Sequence, residues 1–353
     1  MIHAMQSYPF KFKPRFVEKM WGGRRLETAL GKRISSDKPI GESWELYDFP
    51  PGVVEDSANW VSAEIANGPL AGQTLHWLVR EFGRDLMGDV PTLAGQFPIL
   101  IKFLDAKDDL SVQVHPDADY CERHPGSHLK TEAWYILEHE AGAKLYKGLQ
   151  PGVTREQFRD AINSATVEEH IKTVPAKKGQ CHYLPSGTIH ALGAGILVAE
   201  VQTPSDTTFR VFDFNRVDAS TGQLRKLHVE EALECIDFSG KQPPPQNRSH
   251  VAGFFTTVSS LVTSPFFKIE KVRMTEGVEE PVPYDQPVVW IFLEGEAEVR
   301  VEGMKEGTSI ARGDTVLLPA AMKNPILKTL TDCVWLEVTF PQESSARPVV
   351  QGS

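Results

Sequence analysis

The sequence has few of the features that mark membrane or secreted proteins. It contains no apolar run near the roughly 18 residues that a membrane span needs. Its four cysteines lie far apart with no C-x-x-C pair, which argues against a disulfide scaffold and against a zinc knuckle. The first residues carry no apolar segment followed by a cleavage site, so we expect a cytoplasmic protein with no membrane partner.

Positive charge is also scarce. The 353 residues include 37 Lys and Arg against 47 Asp and Glu, a net charge of −10, and no basic stripe alternates with aromatic residues. A nucleic-acid partner is therefore not expected. The composition, 41% hydrophobic and 24% charged, is that of a globular protein, and at about 150 residues per domain it allows two or three domains.

A weak internal repeat relates the two halves of the chain. The segment WYILEHEA, which begins at Trp134, resembles WIFLEGEA, which begins at Trp290. Each is followed by a glycine, by a proline six residues later and by a polar residue five further on; the two sets are Gly179, Pro185 and His190, and Gly313, Pro319 and Asn324. Short alternating strands with turn signals about ten residues apart surround both copies, which predicts a mainly β fold of two tandem barrels or jelly rolls.

The first copy carries an insertion. Its tryptophan and glycine are 45 residues apart, against 23 in the second copy, so it holds 22 extra residues. The segment 154–174 has the spacing of two short amphipathic helices, with Thr154 as the N-cap. Further helices are predicted over Val229–Cys235 and Thr74–Phe82.

A proline-rich segment predicts the domain boundary. Three successive prolines, Pro243 to Pro245, interrupt the chain between the two copies. We therefore expect a metal-binding domain over 1–239, a linker over 240–252 and a degenerate second barrel over 253–353.

Polar residues alternate with apolar ones in the run LSVQVHP at 110–116. Alternation places Leu110 and the two valines on one face of a strand, and Ser111, Gln113 and His115 on the other. Inside a small barrel a buried amide and imidazole would lose hydrogen bonds to water unless they bound something, and a metal ion would satisfy them. The alternative is that these residues form the solvated face of an edge strand.

Two further ligand candidates, Glu132 and His190, lie at the repeat positions, where the second copy has Val288 and Asn324. This difference is expected if one barrel binds a metal and the other only supports it. Two imidazoles, one carboxylate and one amide oxygen suit one Zn²⁺ per chain, with Mn²⁺, Co²⁺ or Fe²⁺ as substitutes. The alternative is a hydrogen-bonded core histidine and a surface glutamate.

A candidate base and a group of cations accompany these ligands. Glu200 shares a strand face with apolar residues, so we expect it to point into a partly desolvated interior where its pKa would rise, as a general base requires. Arg210, predicted some distance away across the sheet, would gather positive charge near the metal together with Lys102 and Lys130.

Several elements between the N-terminus and about residue 216 form one pattern. They are Trp21 to Gly23, Gly41 to Glu45, Phe97 to Lys102, Leu110 to Pro116, Lys130 to Glu132, Leu184 to Ala191 and Ser205 to Arg210. With this pattern the chain resembles the type I mannose-6-phosphate isomerases, or phosphomannose isomerases, of the cupin superfamily in their short bacterial form. The Q-x-H-P, K-x-E and S-D-x-x-x-R elements are specific in combination.

The resemblance implies a fold and a site. The fold would be two tandem cupin or jelly-roll barrels, with the helical insertion in the N-terminal catalytic half. The implied zinc ligands are Gln113, His115, Glu132 and His190. The implied catalytic residues are Arg210, Lys130 and Glu200, and those that help to hold the substrate phosphate are Lys102 and Ser111.

The resemblance also implies a reaction, the interconversion of D-mannose 6-phosphate and D-fructose 6-phosphate through a cis-enediol. Either Glu200 or a metal-bound water would move the proton. We expect a small sugar phosphate as the substrate, and the sequence leaves the oligomeric state open between a monomer and a homodimer. Two alternatives are another metal-dependent cupin enzyme, such as an Fe or Mn dioxygenase, and a non-catalytic sugar-binding cupin. The basic cluster and Gln113 argue against the first, and the second would have lost its ligands in both copies.

Overall fold

The protein is described by a computed structural model, in which residues 5–35, 37–54, 57–218, 222–240, 246 and 249–341 are placed. Strands dominate, as predicted. Those up to residue 240 are β1 (Phe10–Lys11), β2 (Arg15–Gly23), β3 (Ile40–Leu46), β4 (Asp48–Phe49), β5 (Val61–Ser62), β6 (Leu100–Ala106), β7 (Val112–Val114), β8 (Glu132–His139), β9 (Lys144–Leu149), β10 (Ile171–Pro175), β11 (Cys181–Leu184), β12 (His190–Leu192), β13 (Ile196–Gln202), β14 (Phe209–Phe212), β15 (Val217–Asp218) and β16 (Gln223–Leu224).

The later strands and the helices complete the list of elements. The strands are β17 (His250–Ala252), β18 (Thr256–Thr263), β19 (Lys268–Met274), β20 (Glu279–Pro281), β21 (Val288–Glu294), β22 (Glu296–Arg300), β23 (Thr308–Ala311), β24 (Thr315–Leu318), β25 (Ile326–Thr329) and β26 (Cys333–Thr339). The helices are α1 (Arg25–Thr28), α2 (Leu75–Met87), α3 (Ala118–Arg123), α4 (Arg155–Ser164) and α5 (Val229–Cys235), with a 3₁₀ helix at Val167–His170. Within the described part of the chain, no helix is both long and apolar enough to cross a membrane.

The first barrel consists of two antiparallel sheets. One has the strand order β11-β8-β13-β6-β2-β3, and the other has the order β10-β9-β12-β7-β14. Side chains from both sheets form the apolar part of the interior, including Leu104, Trp134 and Leu192. The outer face of the second sheet is covered by helices, since Val112 and Val114 belong to the same buried cluster as residues of α4 and α5.

The second barrel follows the same plan without the helical layer. Its sheets have the orders β1-β24-β21-β26-β19-β18-β17 and β20-β25-β22-β23. Aromatic rings fill its interior: Phe292 and Trp335 stack with their centroids 5.5 Å apart, and Trp290 lies beside Trp335 at 5.3 Å. This interior is therefore packed rather than open.

The two barrels share one hydrophobic core. Leu197 and Ala199 on the outer face of β13 belong to the same buried cluster as Ile291 and Leu336 of the second barrel. The N-terminal β1 also pairs with β24 of the second barrel. The division into 1–239 and 253–353 stays a prediction, and within the proposed linker residues 241–245 and 247–248 lie outside the described part.

The insertion lies where the repeat predicts it, between β9 and β10, whereas a short loop joins the corresponding strands β22 and β23. Thr154 caps α4 through a reciprocal capping box with Gln157. In place of the second predicted helix there is a short 3₁₀ helix over Val167–His170. Residues 171–174, which were also predicted to be helical, belong to strand β10 instead. Ile171 is buried against the sheet, and this β-branched stretch pairs with β9.

The other predicted helices need little correction. The helix predicted over Val229–Cys235 has those bounds. The helix predicted over Thr74–Phe82 is capped by Thr74 but continues to Met87 across a kink at Phe82.

The repeat itself is confirmed in three dimensions. Trp134 and Trp290 are each the third residue of corresponding strands, β8 and β21. Gly179 and Gly313 adopt φ angles of 85° and 88°, which favour glycine. Each donates its N–H to a carbonyl of the neighbouring strand at 2.9 Å.

Candidate metal centre and active site

Four predicted metal ligands meet on the inner wall of the first barrel. Gln113 lies on β7, His115 follows that strand, Glu132 begins β8 and His190 begins β12. Gln113 and His190 are cross-strand partners in the sheet, so their side chains project side by side. Alternation along β7 places Gln113 inward and its valine neighbours outward, as predicted. Leu110 is the exception, because it precedes the strand and lines the interior pocket.

The ligand atoms are close together and buried. Glu132 Oε1 lies 3.1 Å from His190 Nε2, and Glu132 Oε2 lies 3.4 Å from His115 Nε2. The Gln113 side-chain amide is 3.5 Å from His190 Nε2. Among the described residues, His115, Glu132 and His190 form the only group of three such side chains that could hold a metal ion, with ligand atoms within 4.8 Å of one another.

The outer nitrogens of both imidazoles are fixed by the backbone. His115 Nδ1 lies 3.1 Å from the Thr207 carbonyl oxygen, and His190 Nδ1 lies 2.8 Å from that of Thr188. Each Nδ1 therefore carries the proton that it donates, which leaves the Nε2 lone pair directed at the cluster. His115 Nε2 is fully buried and makes no hydrogen bond of good geometry within the described part of the chain. A divalent metal ion would satisfy this atom.

Charge in the cluster also fits a metal. Burial and the nearby Lys130 ammonium lower the pKa of His115 to about 3, so this imidazole is neutral at physiological pH. Burial alone would raise the pKa of Glu132, but Lys130, with its Nζ 3.0 Å from Oε2, and His115 together hold the pKa well below its usual range. The neutral His115 imidazole and the ionised Glu132 carboxylate are in the protonation states that metal binding needs.

A row of alternating charges lies beside the metal cluster. Glu200 Oε2 accepts a hydrogen bond from Trp134 Nε1 at 2.8 Å, and Glu200 Oε1 lies 3.9 Å from Lys102 Nζ. Lys102 Nζ is in turn 3.3 Å from Glu42, whose other oxygen is 3.0 Å from Lys19 Nζ. Glu42 and Lys19 had no predicted role, and Glu42 was marked only by its place in the family pattern.

Glu200 has the environment predicted for it. The side chain is buried inside the barrel. Burial and the neighbouring Glu132 carboxylate raise its pKa, and Lys130 and Lys102 offset only part of that effect. A carboxylate of raised pKa is a stronger base than an exposed one.

Arg210 lies closer to the metal cluster than the sequence suggested. It is the cross-strand partner of Gln113, through the pairing of β14 with β7. Its Nε donates to Ser111 Oγ at 3.1 Å and its Nη1 donates to the Lys226 carbonyl at 3.1 Å. The guanidinium is thus fixed on the wall next to the ligands.

A cavity of about 240 Å³ lies beside the metal cluster. Its wall contains the predicted residues Ser111, Gln113, Lys102, Lys130, Glu200 and Arg210. His115, Glu132 and His190 are each 0 to 1% exposed. Of the four proposed ligands only Gln113 lines the cavity, so the other three lie behind its wall, next to a buried carboxylate and several cations.

The second barrel keeps one element of this arrangement but has other residues at the two matching ligand positions. Glu337 accepts a hydrogen bond from Trp290 Nε1 at 3.0 Å, as Glu200 does from Trp134. At the ligand positions, however, Val288 is buried and apolar, while the Asn324 side chain is exposed and bonds to Glu302. The tryptophan–glutamate pair is thus part of the barrel framework, and the ligands are particular to the first barrel.

Comparisons with known proteins agree with this geometry. A family model described as the type I phosphomannose isomerase catalytic domain matches residues 9–148. The mannose-6-phosphate isomerase of Streptococcus mutans is 34% identical over 318 residues, which cover 90% of this chain and 94% of that protein. A mannose-6-phosphate isomerase of Bacillus subtilis is 33% identical over 333 residues, covering 94% of this chain and 99% of that protein.

Solved structures confirm the fold. The crystal structure of a mannose 6-phosphate isomerase from Bacillus subtilis matches with a TM-score of 0.83 at 30% identity, covering 95% of this chain and 100% of that one. A mutant of phosphomannose isomerase from Salmonella typhimurium matches with a TM-score of 0.72 at 15% identity, over 95% of this chain and all of that one. The predicted mainly β cupin fold is therefore confirmed.

Proposed function

The chain belongs to the type I phosphomannose isomerases, and from that premise we propose that its first barrel interconverts D-mannose 6-phosphate and D-fructose 6-phosphate at one Zn²⁺. Family membership overturns the dioxygenase and non-catalytic alternatives. The observation that carries the assignment to this cavity is the buried cluster of His115, Glu132 and His190. It lies beside Gln113, which lines the cavity together with a buried carboxylate and cations.

Gln113, His115, Glu132 and His190 would hold the metal. This donor set suits Zn²⁺, and Mn²⁺, Co²⁺ or Fe²⁺ would also fit its nitrogen and oxygen ligands. When bound, such an ion supplies Lewis-acid polarisation of the sugar oxygens near the reacting carbons.

The reaction moves a proton between C2 and C1 of the open-chain sugar. The Glu200 carboxylate removes the proton from C2 and returns it to C1, and the sugar passes through a cis-enediol. Trp134 and Lys102 hold this carboxylate in position, at 2.8 Å and 3.9 Å respectively. Burial of Glu200 keeps water away from the carboxylate and raises its basicity.

Cations complete the site. Lys130 and Arg210 stabilise the negative charge that develops on the sugar oxygens during proton transfer. Ser111 and Lys102, on the same wall, help to bind the phosphate and so position the reacting end. The compartment proposed is the cytoplasm, and the domains proposed are a catalytic 1–239 and a supporting 253–353.

The experiment compares two corresponding positions of the repeat. His190→Ala removes a proposed ligand, whereas Asn324→Ala changes the matching residue of the second barrel, whose side chain bonds only to Glu302 among the described residues. We expect His190→Ala to lose stoichiometric zinc and isomerase activity while Asn324→Ala keeps both. Zinc is measured by elemental analysis and activity by a coupled assay. Full zinc and activity in His190→Ala would overturn the site.

A further inference from the structure

We propose that Arg225 recognises the phosphate group of the substrate and supplies positive charge that the paired lysines of the cavity do not. The proposal rests on the proposed function, since it assigns a part of the same cavity to one end of a sugar phosphate. Arg225 lines the cavity together with Arg210, and it lies beyond the segments that carry the family pattern.

The lysines of the cavity are already balanced by carboxylates. Lys130 lies 3.0 Å from Glu132, and Lys102 lies between Glu42 at 3.3 Å and Glu200 at 3.9 Å. The third lysine, Lys19, pairs with Glu42 at 3.0 Å. Three lysines thus face three carboxylates, so Lys102 can donate hydrogen bonds to the phosphate as proposed above, but these side chains together supply no net positive charge for a dianion.

The arginines provide the excess. Burial lowers the pKa of Arg210, and the charges of Arg225 and Arg216 add to that effect. Arg216 and Arg225 share one carboxylate, that of Asp213. Of the three, only Arg210 and Arg225 line the cavity, and Arg210 already has a proposed role at the sugar oxygens. The cavity wall also includes Asp206, an exposed side chain whose charge acts on Lys102.

Asp213 fixes the orientation of Arg225. Its Oδ2 accepts from Arg225 Nε at 2.6 Å, and its Oδ1 accepts from Arg225 Nη2 and from Arg216 Nη2. Burial raises the pKa of Asp213, but the hydrogen bonds from the two arginines more than reverse this effect, so the carboxylate stays ionised. Because Asp213 engages only Nε and Nη2, the Nη1 group of Arg225 is not used by this pair. A guanidinium held in this way loses little entropy when it binds an anion.

Arg216 provides a matched control on the same carboxylate. It shares Asp213 with Arg225, but its Nη1 donates to the Asp109 carbonyl oxygen instead. Replacing Arg216 therefore removes one hydrogen-bond partner of Asp213, as replacing Arg225 does. It leaves the charges that line the cavity in place.

The experiment uses the zinc-loaded variants Arg225→Gln, Arg225→Lys and Arg216→Gln. For each we measure kcat and KM with mannose 6-phosphate, and inhibition by D-glucitol 6-phosphate and by D-glucitol, which differ only in the phosphate.

Arg225→Gln should raise KM and weaken glucitol 6-phosphate inhibition by roughly tenfold or more, since it loses a charge-assisted hydrogen bond. Its kcat and its inhibition by D-glucitol should change by less than about threefold. Arg225→Lys should recover part of the loss, and Arg216→Gln should remain within about twofold of wild type.

Two results would overturn the assignment. One is unchanged KM and glucitol 6-phosphate inhibition in Arg225→Gln. The other is an equal loss in Arg216→Gln, which would show that the effect passes through Asp213. A wild-type protein that binds glucitol 6-phosphate but turns over no mannose 6-phosphate would refute the proposed function instead, and the inhibitor comparison would still test Arg225 by direct binding.

Discussion

Replacing Glu200 by glutamine removes the proposed base and changes little else. The glutamine keeps the volume of the side chain. It also keeps an oxygen that can accept the hydrogen bond from Trp134 Nε1, which is 2.8 Å long in the native protein. Lys102 keeps Glu42 as its nearer partner, at 3.3 Å. We therefore expect the variant to fold and to retain its metal.

The expected loss of turnover follows from the role of a general base. Such groups contribute roughly 10²- to 10⁴-fold, so kcat for Glu200→Gln should fall by that factor, about 3 to 5 kcal/mol in activation free energy. KM should change by less than about threefold, because the carboxylate acts mainly in the transition state. A coupled assay with mannose 6-phosphate measures both, and elemental analysis measures the metal.

The repeat supplies the control for this experiment. Glu337→Gln makes the same change in the second barrel, where the carboxylate accepts from Trp290 Nε1 at 3.0 Å. This variant should keep wild-type kcat, since Glu337 lies in the packed aromatic interior. A fully metallated Glu200→Gln with near wild-type kcat would refute the assignment of the base.

Two further predictions concern pH and stability. Because the pKa of Glu200 is raised above its ordinary 4.5 and only the ionised carboxylate can accept a proton, kcat/KM should fall as pH drops through a midpoint above 4.5. A pH–rate profile would show this, and a midpoint at or below 4.5 would contradict it. Thr154→Ala should lower the free energy of unfolding by about 1 kcal/mol through loss of the α4 cap, with unchanged activity. Denaturant titration would measure the change, and an unaltered midpoint would contradict the role of the cap.

Patterns with a fixed period were predicted well from the sequence. Alternation along β7 predicted that Gln113 lies on the inner face. The repeat matched Glu132 and His190 with Val288 and Asn324 of the second copy, and the two side chains do meet in the first barrel. These predictions succeed because the side chains of a strand alternate strictly and because two copies of one fold constrain each other.

Features set by long-range pairing could not be predicted. The position of Arg210 opposite Gln113 depends on the register between β14 and β7, which local sequence does not determine. The pairing of β1 with the second barrel joins residues some 300 positions apart in the chain. Ile171 belongs to a strand rather than a helix because its partner strand lies before the insertion. The row of alternating charges that includes Glu42 joins residues of separate strands, so no regular spacing in the sequence predicts it.

The central claim is that this chain isomerises a hexose phosphate at a metal held by the first barrel. The most direct measurement is the conversion of mannose 6-phosphate to fructose 6-phosphate by the purified protein, before chelation, after chelation and after zinc is returned. We predict activity that disappears with the chelator and returns with stoichiometric zinc. Turnover that persists in metal-free protein, or stoichiometric metal without turnover, would contradict the account.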